Sequence, residues 1–250
     1  MYLVLARYRE DISWLFKILY RFPEWQAFVY NDGSALEIPV DLQDRLKVLP
    51  GDGCATEGTK YLQYIIDNWD NFNPEQRVTF LQADPHYHSP DIEELFYHVD
   101  DWNPIYQNLT LYGHPPPWEP AQAILNSTAP NITTFGTGNQ ARTWCDTMDD
   151  DFQGIYWRDP WMDEFNKIER VTVRELCSLF HVEPPEVMKK TYSALFSIKW
   201  STIKKHNIHT WIDVQKFIYN GNERVQRFNP RERGVYIEYM WSVICEGSPL

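Results

Sequence analysis

The sequence predicts an α/β fold: a parallel sheet flanked by helices, in one domain with a long irregular insertion. Three observations carry this. Tyr2 to Ala6 is an apolar run of strand length, Asp11 to Tyr20 has Ile12, Leu15, Phe16 and Leu19 at helical spacing, and Ala27 to Tyr30 is apolar again. Strand, helix and strand in that order and length imply a right-handed βαβ unit. Residues 77–83 form a further strand, stopped by Asp84-Pro85 because proline cannot donate to a sheet ladder.

Taken in order, the second strand closes at Asn31-Asp32-Gly33, a turn signal. Residues 38–54 read as irregular, with Leu49-Pro50-Gly51-Asp52-Gly53 as a loop. Thr56 then fits a helix cap, with Glu57 in the first turn and Tyr61, Leu62, Tyr64, Ile65, Ile66 and Trp69 on the buried face. Asn71 to Pro74 stops that helix, strand 77–83 follows, and Asp91 to Val99 is a short helix. Residues 101–166 lose periodicity at Pro115-Pro116-Pro117, the Ser/Thr/Asn/Gly-rich stretch 126–139 and Asp149-Asp150-Asp151, while keeping scattered tryptophans. They are expected to form an insertion near the site. Glu169 to Phe180 is helical, 192–198 a strand, and 201–205, 210–219 and 233–245 helices.

Composition narrows the function. The 250 residues include 11 Trp and 15 Tyr, with 16% aromatic residues overall, which core filling explains for most and which suits carbohydrate or nucleobase stacking for some. A net charge of −12 disfavours a nucleic-acid partner, because phosphate backbones need clustered cations. The four cysteines are far apart without CxxC spacing, as in a reducing compartment. The opening MYLVLARYRED runs straight into charge, so neither a signal peptide nor a transmembrane segment is expected and the location implied is cytoplasmic.

The stretch 77–91, RVTFLQADPHYHSPD, places Gln82, Asp84, His86, His88 and Asp91 where a strand ends. Ligands of open α/β sheets sit beyond the carboxyl ends of the strands. An Asp with a His two residues later can hold a divalent ion, and the alternative is a strand running into a helix cap at Asp84 or Ser89.

Several motifs together resemble an uncharacterised domain family common in fungi, with relatives in bacteria and large viruses. They are LVLARYREDISWL (3–15), FVYNDG (28–33), CATEGTKYLQYIIDNWDNF (54–72), VTFLQADPHYHSPD (78–91), ALFSIKWSTIKK (194–205) and YIEYMW (236–241). The resemblance covers nearly all of the chain outside roughly 102–166. That family's layout looks like the GT-A glycosyltransferase fold, a Rossmann-type mixed sheet. The resemblance therefore implies a nucleotide-sugar-binding half (1–100), the insertion (101–166) and an acceptor-side half (167–250). It further implies transfer from a UDP-type sugar to a glycan acceptor with a divalent metal, with a catalytic base needed if the transfer inverts; a small donor such as UDP-xylose would suit the aromatic-rich surroundings.

In that scheme Asp84 and His86 hold the metal, with His88 the other candidate for second ligand. Asp84-Pro85-His86 stands where the family has an acidic pair, and a His ligand favours Mn²⁺ over Mg²⁺. Arg7, Asn31 and Asp32 would contact the nucleotide, and Glu57, Tyr61, Gln82 and His88 the donor. Glu238 is the first candidate for the catalytic base and Asp213 the second. Each has a plainer alternative. Arg7 and Asp32 can simply pair over the sheet, Glu57 can be a favourable first-turn acid, and Glu238 a solvated helix acid. His206 and His209, three apart, are expected at the surface or completing the metal shell. Two other functions fit the residues: a metal-dependent hydrolase built on Asp84, His86, His88 and Asp91, and a non-catalytic carbohydrate-binding module using the Trp-rich loops. No GxSxG elbow and no P-loop is present.

Overall fold

The computed structural model describes residues 1–109 (except 55, 72, 87, 88, 91 and 104), 173–184, 194–221 and 230–250. Its strands are β1 (Tyr2–Arg7), β2 (Gln26–Asn31), β3 (Leu46–Pro50), β4 (Arg77–Gln82), β5 (Tyr106–Asn108) and β6 (Phe196–Lys199). Its helices are α1 (Ser13–Arg21), α2 (Glu57–Asp67), α3 (Ile92–Phe96), α4 (Val173–Leu179), α5 (Trp200–Ile203), α6 (Ile208–Asn220) and α7 (Pro230–Glu246). They form a mixed α/β architecture around one sheet of order β3-β2-β1-β4-β6-β5. β1 pairs in parallel with β2 and β4, and β2 with β3, while β6 runs antiparallel to β4 and β5.

Side chains alternate across a strand, so each strand feeds two cores. Leu3, Leu5, Ala27, Val29 and Leu81 pack with Trp14, Leu15, Ile18 and Leu19 of α1 and Ile92, Leu95 and Phe96 of α3. Val4, Tyr30, Val78, Phe80 and Phe196 face α2, α6 and α7. On that face the Phe196 ring lies 5.0 Å from Phe80 and 5.1 Å from Trp241. Burial on both faces is why the parallel strands read as unbroken apolar runs.

Local chemistry sets the helix ends. Asp11 accepts from Ser13 N (2.9 Å) and Ser13 Oγ (2.7 Å) at the entry to α1, and Arg45 Nη1 donates to the Leu19 carbonyl (2.7 Å) at its exit. Thr56 Oγ1 accepts from Gly58 N (3.3 Å) to cap α2. Arg233, buried near the start of α7, donates to the Ile218 carbonyl (2.6 Å) and to that of Tyr219, closing the end of α6.

Two expectations change. Within the stretch 38–54, expected to be irregular with a loop at 49–53, residues 46–50 form β3, and its place at the edge of the sheet hides it in the sequence. Lys47 is exposed, Val48 is only partly covered and Pro50 ends the pairing, so the burial that marks a core strand is missing. The start of the 101–166 stretch also belongs to the sheet, since Tyr106–Asn108 pair with β6 and Trp102 and Leu109 are buried. Most of that stretch lies outside the described residues, as do the start of helix 169–180 and the first residues of strand 192–198.

His206 differs as well. It is 2% exposed, its ring edge-on to Trp211 at 5.8 Å, and neither ring nitrogen makes a direct hydrogen bond among the described residues. Burial lowers its pKa; the Ile244 carbonyl raises it only in part, being too poorly placed for a direct bond. The unfolded chain then binds a proton below about pH 6.5 that the folded chain resists, so stability falls as pH drops through that value. Urea unfolding at pH 7.5 and 5.5 should show this loss, and His206→Phe should reduce it. An equal loss in the variant assigns it to other groups.

Candidate functional site

The parallel strands β1, β2 and β4 end at one edge, and the chain leaves β1 toward β2 on one side and reaches β4 on the other. Such a switch point is where α/β sheets bind ligands. Alternation sends the polar residues at this edge to opposite faces of the sheet.

Arg7 follows Leu3 and Leu5 onto the α1 side. It is 8% exposed, and its ladder partner is Asn31. Arg7 Nη1 donates to Asn31 Oδ1 (2.7 Å) and the Ser34 carbonyl (3.1 Å), and Nε to the Glu10 carbonyl (2.9 Å). Asn31 is held in turn: Nδ2 donates to the Ser34 carbonyl (2.9 Å) and Oδ1 accepts from Gly33 N (3.2 Å). Glu10 accepts from Tyr8 N (2.7 Å) and Arg9 N (2.9 Å), tightening the turn after β1.

Asp32, one residue on, turns to the other side. The expected alternative pairing with Arg7 is therefore replaced by another: Asp32 Oδ2 lies 2.7 Å from Lys60 Nζ, and Oδ1 accepts from Gly53 N (2.8 Å). Lys60 is 3% exposed, also lies 2.5 Å from Asp52 Oδ1, and donates to the Cys54 carbonyl. Asp52 accepts further from Cys54 N (2.9 Å) and from the Tyr219 hydroxyl at the end of α6. Burial pushes the Asp52 carboxyl up, but bonds from Lys60, Tyr219, Thr59 and Cys54 outweigh it and hold it below the usual range. Burial, then the bond to Asp52, raises the Tyr219 hydroxyl. This network ties β2, loop 50–54, α2 and α6 together.

A third group joins β4, α2 and α7. Gln82 shares the face of Val78 and Phe80, and its Nε2 donates to Glu57 Oε1 (2.7 Å). Tyr61, one turn beyond Glu57, is fully buried against Phe80 (4.9 Å) and Trp241 (6.1 Å). Burial first, then the negative charges of Glu57 and Glu238, drive its hydroxyl pKa far up. The Tyr61 ring is core, with no surface left to meet a donor. Its depth follows from the close approach of α7: a Cβ on Gly234 would sit 2.5 Å from Thr56 Oγ1.

Beyond β4, Asp84 Oδ1 lies 3.7 Å from His86 Nδ1, and His86 Nε2 lies 3.5 Å from Glu93 Oε1. The Asp84 and His86 side chains are open to solvent at 63% and 38%. Two atoms bound to one ion at a little over 2 Å each sit roughly 3–4 Å apart, so Asp84 Oδ1 and His86 Nδ1 fit a shared ion. Glu93, on the far nitrogen, fits the orienting carboxylate that such histidines carry. No set of three ligating groups converges among the described residues. His88 and Asp91 lie outside them.

Asp213 is not in this company. It pairs with His181 Nε2 (3.7 Å) and Lys216 Nζ (3.1 Å) on α6. Gln215, two residues on, meets Gln63, nearly two turns down α2 from Glu57, so this part of α6 lies away from the start of α2. The sequence reading missed Lys60, Asp52, Tyr219 and Glu93. One signal was present: Lys60 is the only cation between Lys47 and Arg77, and it sits on the buried face of an otherwise acidic stretch.

No protein-family model matches the chain, and no curated protein matches it in sequence. No helix among the described residues is long and apolar enough to cross a membrane.

Proposed function

We propose that the chain is a GT-A-like glycosyltransferase that moves a sugar from a UDP-type nucleotide-sugar to a glycan acceptor with help from a divalent metal. The observation that carries this reading is the Asp84–His86 pair directly beyond β4, one strand away from the buried Arg7, at the switch point of a mostly parallel sheet.

Asp84 and His86 would hold the ion, and the nitrogen ligand favours Mn²⁺ over Mg²⁺. Held by these two residues, the ion would supply the Lewis acid that offsets charge on a diphosphate leaving group. Arg7 and Asn31 bind the nucleotide from the α1 side. Gln82 fixes Glu57 at the start of α2. Glu238 accepts the acceptor hydroxyl proton as that oxygen bonds to the anomeric carbon and the bond from that carbon to the diphosphate oxygen breaks, inverting the centre. Asp32, both of whose oxygens are engaged, acts by holding loop 50–54 through Lys60 rather than by reading the ribose.

The test is a thermal-shift screen of nucleotide-sugars with and without Mn²⁺. Ligand at a hundredfold excess over its dissociation constant stabilises the folded state by about 2.7 kcal/mol. A shift for UDP-sugars that needs metal and vanishes in Asp84→Ala supports the reading. The absence of any shift with any nucleotide overturns it.

A further inference from the structure

Among the described residues the buried and half-buried cations are accommodated in different ways. Lys60 lies against two carboxylates. Arg45 and Arg233 rest on the carbonyl ends of α1 and α6, where the helix dipole is negative. Arg77, half-buried, spends Nη1 on Ser197 Oγ (3.3 Å) and Nη2 on the Asn103 carbonyl (2.7 Å), and lies over the Trp102 ring at 6.0 Å.

Arg7 meets neither carboxylates nor the end of a helix; like Arg77 it has only neutral acceptors, and it is the more deeply buried of the two. Among the described residues no carboxylate lies within 4.0 Å of its guanidinium, and the charge of Asp11 is felt only from farther away. Its acceptors are neutral: the Glu10 and Ser34 carbonyls and Asn31 Oδ1. A guanidinium has five N–H donors. Three are used, on Nε and Nη1, and the two on Nη2 have no partner among the described residues. Nη2 is nevertheless not a sealed atom, for it is absent from the fully buried polar atoms that lack a partner. A buried cation without a counter-charge is costly. Here it is also rigid, because the 31–34 turn is pressed onto the end of β1: a Cβ on Gly33 would sit 1.4 Å from the Tyr8 carbonyl oxygen.

We propose that Arg7 Nη2 anchors a phosphate oxyanion of the ligand, which supplies the counter-charge that no carboxylate among the described residues provides. The identity of the phosphate carrier rests on the nucleotide-sugar reading above. The anchoring of an oxyanion rests on the geometry of Arg7 alone. Two N–H groups on one fixed nitrogen suit adjacent phosphate oxygens, and a pre-positioned guanidinium loses little entropy on binding. The proposal assigns Arg7 to phosphate rather than to the nucleobase.

The test compares UDP, uridine and inorganic pyrophosphate by calorimetric titration of the full chain, wild type and Arg7→Gln. Wild type should bind UDP at least tenfold more tightly than uridine. Arg7→Gln should lose at least tenfold for UDP and nothing for uridine. Equal UDP affinity in a folded Arg7→Gln overturns the proposal. If that variant does not fold, the wild-type Arg7 guanidinium resonances decide: a shift on adding UDP or pyrophosphate supports the anchor, and none with either overturns it. A response to pyrophosphate without any affinity for UDP keeps the anchor and removes the nucleotide reading.

Discussion

Lys60→Met is expected to be among the most damaging single substitutions at the site, lowering stability by about 3 kcal/mol. Removal leaves Asp32 and Asp52 facing each other across loop 50–54 without the ammonium that separates them. Breaking a buried pair from one side costs more than the pair contributes, because the remaining charge has no partner. For a chain of this length that corresponds to a fall of roughly 6–12 °C in Tm. The pH dependence gives an independent reading. The Asp52 carboxyl is depressed in the fold, so its contribution is present above the unfolded value near 3.8 and is lost as pH falls through the folded value. Lys60→Met should shrink this acid-side loss, since the Lys60 bond is the largest of the depressing causes. Thermal unfolding of both proteins at pH 7 and pH 3.5 measures both effects. A variant with unchanged Tm would show that loop 50–54 relaxes and hydrates the two carboxylates.

Gly33→Ala is expected to cost about 3 kcal/mol through overlap rather than conformation. The added methyl would meet main chain, the Tyr8 carbonyl oxygen at 1.4 Å, and neither β1 nor β2 can move without breaking its ladder. The turn must lift, and with it go the Ser34 and Asn31 acceptors that hold Arg7. Gly53→Ala is the control. Its φ of +71° is strained for alanine, but nothing lies within 4 Å of the new methyl, so the cost should be nearer ~1 kcal/mol. Urea unfolding of the two variants should separate them clearly. Similar losses would mean that the 31–34 turn shifts freely, and would weaken the case that Arg7 is rigidly held.

The elements of the chain were legible where one physical signal was sufficient. Apolar runs of strand length at 2–6, 27–30 and 77–83 are buried on both faces of a parallel sheet, so nothing in their sequence competes with the strand reading. Thr56 and Glu57 announce α2 because capping is a local interaction. The edge strand β3 and the short β5 were not legible: one is exposed and the other three residues long, and both are strands only because a neighbour offers hydrogen bonds.

The site divides along the same line. That Arg7, Asn31, Asp32, Gln82 and Asp84 lie at strand ends follows from where the apolar runs stop, and sequence alone determined it. Which of them meet was decided by tertiary structure. A strand turns successive side chains to opposite faces, so Asn31 goes to Arg7 while Asp32 goes to a lysine 28 positions away on α2. α7 closes on the start of α2 because Gly234 carries no Cβ to meet Thr56, and Asp213 is left behind because its stretch of α6 packs near Gln63, well along α2 from Glu57. Composition and periodicity set the layers, because burial is a property of each residue. Partnership among charges is a property of register and helix packing, and it exists only once the chain has folded.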